Sequence, residues 1–276
     1  MDPSAYPLVY IIVLTWNGRE DTLECLRSLR RVDYPNRKIV VVDNASTDGT
    51  IEAVGTEFAE VEIIENETNL RYAGGNNRGI RYAMDRGAAA VLLLNNDTIV
   101  DPEFLRLMVE SLTAHPTTGI VGPKILYYND PKRIWYAGGT VSWWQGWVSH
   151  RGIREPDNGQ YDTPATTDYV SGCCMLVRRD VITRVGMLDD SYFIYGEDTD
   201  WCLRTRRAGY AVVVQPGARI WHKVSASSGH FSWFKNFNKF KSQFRFFGRY
   251  ARWYHWITIP FGFVWNLLRS VLTIGR

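Results

Sequence analysis

The sequence predicts an α/β protein with a doubly wound, mostly parallel (mixed) sheet, flanked by helices and followed by a basic, aromatic helical extension. Three observations lead there. Short apolar, β-branched runs recur through the first hundred residues, each followed by a polar loop and a stretch with apolar residues at helical spacing. The runs are too uniformly apolar to have a solvated face, as expected of strands covered by helices on both sides. All 29 acidic residues lie at or before Asp200, whereas the 76 residues after it carry thirteen Lys or Arg and no acid. An acidic body is joined to a basic end.

Leu8 to Leu14 (LVYIIVL) reads as the first strand, with TWNGRED as loop and TLECLRSLRRV as helix. Lys38 to Val42 is the second strand, ending in DNASTDGT, where Ser46, Thr47 or Asp48 is the expected cap of a helix beginning near Thr50. Val61 to Ile64 is a weaker third strand. A glycine-rich turn, RYAGGNNRG, then leads into another helix, and Val91 to Leu94 is the fourth strand. After Asp101-Pro102 a helix is expected to about His115, then hairpins rich in aromatics and glycines. Asp168 to Val177 leads into a helix over Arg179 to Val185, GEDTDW precedes another helix, and Val212–Val214 and Ala218–Trp221 are two closing strands.

This divides the chain into a domain over residues 1–229, with a nucleotide-binding half (8–115) and an acceptor or catalytic half (116–229), and a C-terminal segment over 230–276. The length suits one large α/β domain with an appendage. Cys25, Cys173, Cys174 and Cys202 have neither zinc-site nor disulfide spacing, so buried, reduced thiols are expected. The N-terminus has no basic segment followed by an apolar one, and a cytosol-facing protein is expected.

The polar strand ends carry the chemistry. Thr15-Trp16-Asn17, Asp43-Asn44 and Asn95-Asn96-Asp97 should converge on the carboxyl edge of one parallel sheet, where α/β proteins bind ligands. Asp43 suits a base imide or ribose hydroxyls; alone, it would be read as a helix-capping or Asx-turn aspartate. Asn76 and Asn77 are expected to open a helix whose amides favour an anion, with Arg71, Arg78 and Arg81 nearby. AGGNNRG is neither a Walker loop nor a dinucleotide fingerprint. Glu197, Asp198 and Asp200 either cap a helix or supply the base that takes a hydroxyl proton. His222 paired with Asp97 would form half of a divalent site suited to Mn²⁺ or Mg²⁺.

In their order along the chain these motifs resemble the inverting family 2 glycosyltransferases of the GT-A fold, especially their rhamnosyltransferase-like branch. VDNASTDGT is similar to the family's VDNxSxDGT, AGGNNRGI to AGGNNxGI, FIYGEDTD to LIYGEDxD, and WHKVSASSG to an HxxxxS segment; LLNNDT stands where the family carries its metal-binding DxD. The resemblance implies nucleotide contacts from Thr15, Asn17, Asp43 and Asn76, joined by Asn44, Arg71, Gly75 and Asn96. It implies metal ligation by Asp97 and His222, and catalysis by Asp198 as base beside Glu197. The chain departs from the pattern at Asn95, which replaces the first acid of DxD, and at Arg71, which replaces a glycine. The implied reaction is single displacement at the anomeric carbon of a TDP- or UDP-linked sugar, possible rhamnose donors being TDP-linked. A lipid-linked saccharide is the implied acceptor, in cell-surface polysaccharide synthesis. The alternative is a catalytically silent nucleotide-sugar or lipid-binding protein of the same fold.

Residues 231–276 hold fifteen aromatic residues and eight Lys or Arg without an acid. Rings alternating with cations suit an anionic membrane surface, with the protein peripheral on its cytoplasmic face. Pro260, Asn266 and Arg269 interrupt the last apolar stretch, which favours an interfacial helix pair over a span. Nucleic-acid binding is ranked lower, because the apolar end beyond Ile257 has no purpose in a nucleic-acid groove.

Overall fold

The computed structural model describes residues 6–224 and 233–272. Strands β1 (Val9–Thr15), β2 (Arg37–Asp43), β3 (Glu62–Glu65) and β4 (Ala90–Asn95) alternate with helices α1 (Arg19–Arg30), α2 (Thr50–Glu57) and α3 (Arg71–Asp85). They pair in parallel in the order β3-β2-β1-β4. Val9 to Val13, Val40 to Val42 and Val91 to Leu94 are buried on both faces, which accounts for their unbroken apolar sequence.

The second half builds β5 (Thr98–Val100), α4 (Phe104–Ala114), β6 (Thr118–Tyr127), β7 (Asp130–Tyr136), β8 (Gly139–Ser142), β9 (Trp147–His150), β10 (Ala165–Thr166), β11 (Cys174–Arg178), α5 (Arg179–Val185), α6 (Glu197–Arg207) and β12 (Ala211–His222). The sheet continues from β4 through β11, β6 and β12 to β10, with β5 on β12 and β7 on β6; β8 and β9 form a separate hairpin. β11 is antiparallel to both β4 and β6, so the sheet is mixed where the two halves meet. A 3₁₀ turn at Trp253–Ile257 separates α7 (Trp233–Tyr250) from α8 (Ile259–Leu272).

Four expectations about elements change. The glycine-rich segment is not a turn before a helix: α3 already begins at Arg71, so Asn76 and Asn77 lie inside it and open no N-terminus. Its glycines serve packing. A Cβ on Gly75 would sit 2.5 Å from Leu14 Cδ1, and one on Gly79 2.6 Å from Ile12 Cγ2, so the glycines let α3 lie close on β1. The two closing strands are one, β12, with its register against β6 shifting between Gln215 and Arg219. At α2 none of Ser46, Thr47 or Asp48 is the terminal residue. Gly49 takes that place at φ 76°, while Asp48 Oδ1 accepts the Thr50 N–H at 3.2 Å. The fourth strand runs on to Asn95, and Asn96-Asp97 is the tight connection to β5.

α7 and α8 lie on the domain. Phe246, Phe247 and Ile259 bury against Tyr192, with Trp143 stacked on Phe246 at 5.9 Å between ring centroids. No helix among the described residues is long and apolar enough to cross a membrane. The four cysteines are free and buried, as expected. Of the C-terminal segment, residues 230–232 and 273–276 lie outside the described residues, as do Ser225 to Gly229 of WHKVSASSG.

Candidate functional site

Parallel register brings the strand ends level. Thr15 stands opposite Asp43, and Leu14 opposite Asn95, so three polar termini reach the same sheet edge. On the other side, antiparallel pairing sets His222 of β12 opposite Thr98 of β5, one residue beyond Asp97.

At the ends of β1 and β2 Asp43 is buried, and its carboxylate accepts the Ser46 N–H at 2.8 Å and the Ser46 hydroxyl. The Asx-turn geometry is therefore present, and each carboxylate oxygen keeps a lone pair for a further donor. Asn17, at φ 49°, donates its backbone N–H to the Ser46 hydroxyl oxygen at 2.8 Å and accepts the Thr47 N–H on Oδ1, locking the first two loops together. Asn44 is tied up internally: Nδ2 donates to the Arg71 carbonyl at 3.1 Å and Oδ1 accepts from Asn66 at 3.0 Å. Thr15 bonds Thr22, and the Asn96 amide donates to the Thr22 hydroxyl at 3.0 Å. Both hold the first loop. Arg71, at φ 62°, stacks its guanidinium 3.7 Å from the Phe193 ring centroid. Asn76 Nδ2 donates to the Tyr72 carbonyl at 2.9 Å, and its buried Oδ1 has no partner. Gly75 packs against Leu14 and Asn44. Of this set, Asn17 is exposed at the rim and Asp43 is buried beside it, while Asn44, Thr15, Gly75 and Asn96 hold the loops in place.

Asp97 and His222 come together as expected, with Oδ2 and Nε2 3.1 Å apart. Two adjacent ligands of an octahedral ion, each about 2.1 Å from the metal, lie about 3 Å apart. Asp97 Oδ1 and His222 Nδ1 are both buried without a hydrogen-bond partner, a demand that a cation or its water would meet. The pair fits a divalent metal. Burial opposes charge on His222, while Cys173 and the Asp97 carboxylate favour it and prevail, raising its pKa. Burial also raises the Cys173 thiol, which leaves Asp97 as the group that stabilises the imidazolium. Among the described residues no cluster of three His, Cys, Asp or Glu has metal-holding geometry. Asn95, in the position of the missing acid, spends its N–H on the Cys173 carbonyl at 2.9 Å.

The three acids of GEDTDW separate by role. Gly196, at φ 96°, turns the chain into α6, placing Glu197 and Asp198 in its first turn. Asp198 is half-buried; Oδ2 accepts the Gly172 N–H at 3.0 Å and Oδ1 the Thr199 N–H at 2.6 Å. Burial outweighs these bonds and raises its pKa. Glu197 is buried, its Oε2 has no partner, and burial together with the Asp198 charge raises it to about 8. Asp200 points the other way, fully buried between Arg204 at 2.7 Å and the Tyr250 hydroxyl at 2.6 Å. It fastens α7 to α6.

Sequence reasoning missed Ser46, which fills Asp43, and Gly172, which holds Asp198. Ser46 was visible as the fourth residue of an Asp-x-x-Ser turn. Gly172 had only the signal of a glycine just before a strand; its need for no side chain comes from Tyr72, whose hydroxyl would lie 2.5 Å from a Cβ there.

A family model for glycosyl transferase family 2 matches residues 10–186. A protein of Sinorhizobium fredii described as uncharacterised is 32% identical over 239 residues, 81% of this chain and 25% of that one. A dTDP-rhamnosyl transferase of Shigella flexneri is 26% identical over 223 residues, covering 80% of this chain and 70% of that one. The N-acetylglucosaminyl-diphospho-decaprenol L-rhamnosyltransferase of Mycobacterium tuberculosis is 27% identical over 243 residues, 79% of this chain and 77% of that one. This chain thus spans a quarter of the length of the first relative and more of the others. Among solved structures, a Pyrobaculum calidifontis mannosyltransferase in complex with GDP-Man and Mn²⁺ superposes with a TM-score of 0.60 at 23% identity, over 82% of this chain and 59% of that one, a likeness of fold. With the mixed GT-A type sheet, the ordered strand-end motifs and a family match over most of its length, the chain belongs to glycosyl transferase family 2.

Proposed function

We propose that this chain is a metal-dependent, inverting glycosyltransferase that moves a sugar from a nucleoside diphosphate to a hydroxyl of a lipid-linked saccharide in cell-surface polysaccharide synthesis. TDP-rhamnose is the favoured donor, on the strength of the two rhamnosyltransferase relatives. One observation carries the reading. Two adjacent residues of a single segment, Gly172 and Cys173, bond respectively to Asp198 and to Asn95 of the NND motif, so a candidate base and a candidate diphosphate site share one short piece of backbone.

In this reading Asp43 and Asn17 hold the nucleoside at the rim of β1 and β2. A divalent ion held by Asp97 and His222, with diphosphate oxygens supplying the ligands that Asn95 does not, would neutralise charge on the leaving group. Asp198, raised by burial, accepts the acceptor's hydroxyl proton as its oxygen bonds to the anomeric carbon. The carbon–oxygen bond to the diphosphate breaks with its electrons on the diphosphate, and the configuration inverts. Glu197, buried behind Asp198, keeps its own proton up to about pH 8 and so adds no second charge at neutral pH. The exposed rings and cations of α7 and α8 would hold the enzyme on the cytoplasmic face of the membrane, where a lipid-linked acceptor resides.

The test is transfer from TDP-rhamnose to a lipid-linked acceptor by wild type and Asp198→Asn, beside calorimetry of TDP, UDP and GDP with and without Mn²⁺. Asp198→Asn should lose ~10²–10⁴-fold in kcat and keep nucleotide binding. Transfer at the wild-type rate would remove Asp198 as the base. Failure of wild type to bind any of the three diphosphates would favour the silent binding protein.

A further inference from the structure

Tyr72 is a buried phenol that the proposed reaction does not use. It lies in the first turn of α3, and its hydroxyl donates to the Gly172 carbonyl at 2.6 Å. Burial, with the Asp198 charge next, raises its pKa well above the ordinary value, so it remains a donor at every physiological pH. The Gly172 N–H, on the other side of the same residue, donates to Asp198 Oδ2 at 3.0 Å. The next carbonyl, that of Cys173, accepts the Asn95 N–H at 2.9 Å. Three backbone groups of Gly172 and Cys173 therefore link Asp198, Tyr72 and the NND motif.

The same helix grips the approach to α6 at two more points. The Asn77 side chain pairs with both backbone groups of Leu188, at 2.9 and 3.2 Å, and Arg71 covers Phe193. Arg71 is itself bonded through its carbonyl to Asn44, next to Asp43. The nucleotide half thus reaches the base through α3 as well as through Asn95 of β4.

We propose that Tyr72 is a positioning residue for Asp198, acting through Gly172 to set the base carboxylate relative to the diphosphate end of the site. The proposal rests on the reading of Asp198 as base. A side chain at Gly172 would collide with the Tyr72 ring, with its Cζ 2.9 Å away, so the two residues are matched in shape as well as in hydrogen bonding. The other ionisable groups facing Asp198 are Glu197 on its own helix, Tyr169, Tyr136 and Cys202. Burial raises each of them, so all face Asp198 in the neutral form around pH 7 and none substitutes for Tyr72 in fixing Gly172.

The experiment is Tyr72→Phe in the full chain, with steady-state transfer, TDP calorimetry and a ¹³C titration of the Asp198 carboxyl without donor. Kcat should fall about 10- to 100-fold while donor KM and TDP affinity stay within about twofold, because only the geometry of attack is disturbed. The loss should vanish in an Asp198→Asn background. The Asp198 midpoint should move up, as its Gly172 donor loosens. An unmoved midpoint, kcat within twofold of wild type, or KM rising in step with the loss would each overturn the proposal. In wild type, the Tyr72 hydroxyl proton should exchange slowly with solvent; fast exchange would also overturn it, without any variant. Should wild type transfer no sugar, the function proposed above fails, and the Asp198 midpoint in Tyr72→Phe still decides whether Tyr72 holds that carboxylate.

Discussion

At the scale of single residues, the site is a contest between burial and hydrogen bonding. Glu197 keeps its proton to about pH 8 in the folded protein, against an ordinary 4.5. Between those values the native state binds more protons than the unfolded chain, so this group makes stability fall as pH rises through the window. Glu197→Gln should therefore lose less melting temperature than wild type between pH 5 and pH 8; a parallel decline in the two proteins would show that Glu197 ionises freely. Asp97 and His222, like Glu197, are each left with an unpartnered buried atom, but they face each other across 3.1 Å. Replacing either with Ala should weaken Mn²⁺-dependent TDP binding about 10-fold or more and leave metal-free binding alone, read by calorimetry. The residue types and their order were legible from sequence because each sits within a few positions of a strand end. What Asn44, Asn96 and Arg71 touch was not, since their partners are 22 to 122 residues away in the chain.

At the scale of elements, α3 shows how a correct motif can carry a wrong local structure. A glycine pair followed by two asparagines reads as a turn by composition, yet the segment is helical from Arg71. Glycine lowers helix propensity by about 1 kcal/mol, and close packing of α3 on β1 offsets that cost. Gly75→Ala should then destabilise the protein by ~1–3 kcal/mol through overpacking against Leu14, although Ala is the better helix former; a stabilised variant in urea melts would contradict the packing argument. Asp200 is the corresponding joint between α6 and α7, and its Asn variant leaves Arg204 without a buried counter-charge. A loss of ~3–5 kcal/mol is expected, with faster tryptic cleavage within α7; unchanged cleavage would mean that α7 is held by Phe246 and Phe247 alone.

At the scale of the whole molecule, the C-terminal helices have two faces. Phe246, Phe247 and Ile259 are buried on the domain, whereas Phe240, Phe244, Trp253 and Phe261 are exposed beside Lys241, Arg245 and Arg252. Serine at Phe240, Phe244 and Trp253 together should abolish sedimentation with anionic liposomes and leave the melting temperature within a few degrees; retained binding would remove the membrane assignment. Deleting the whole segment would instead uncover Tyr192 and Trp143, so it would confound attachment with stability. The sequence by itself determined the strand–helix alternation, the carboxyl-edge placement of Asp43 and Asp97, the helix-start position of Asp198, and the basic end, because apolar period, motif spacing and charge are local properties of the chain. Only the tertiary structure decided that AGGNN is helix, that Asp200 joins α6 to α7, and that Gly172 bonds Tyr72 on one side and the Asp198 carboxylate on the other. Those outcomes depend on shape and hydrogen-bond partners brought together across the sheet, 50 to 100 residues apart between Asp200 and Tyr250 and between Tyr72 and Gly172, which no local pattern encodes.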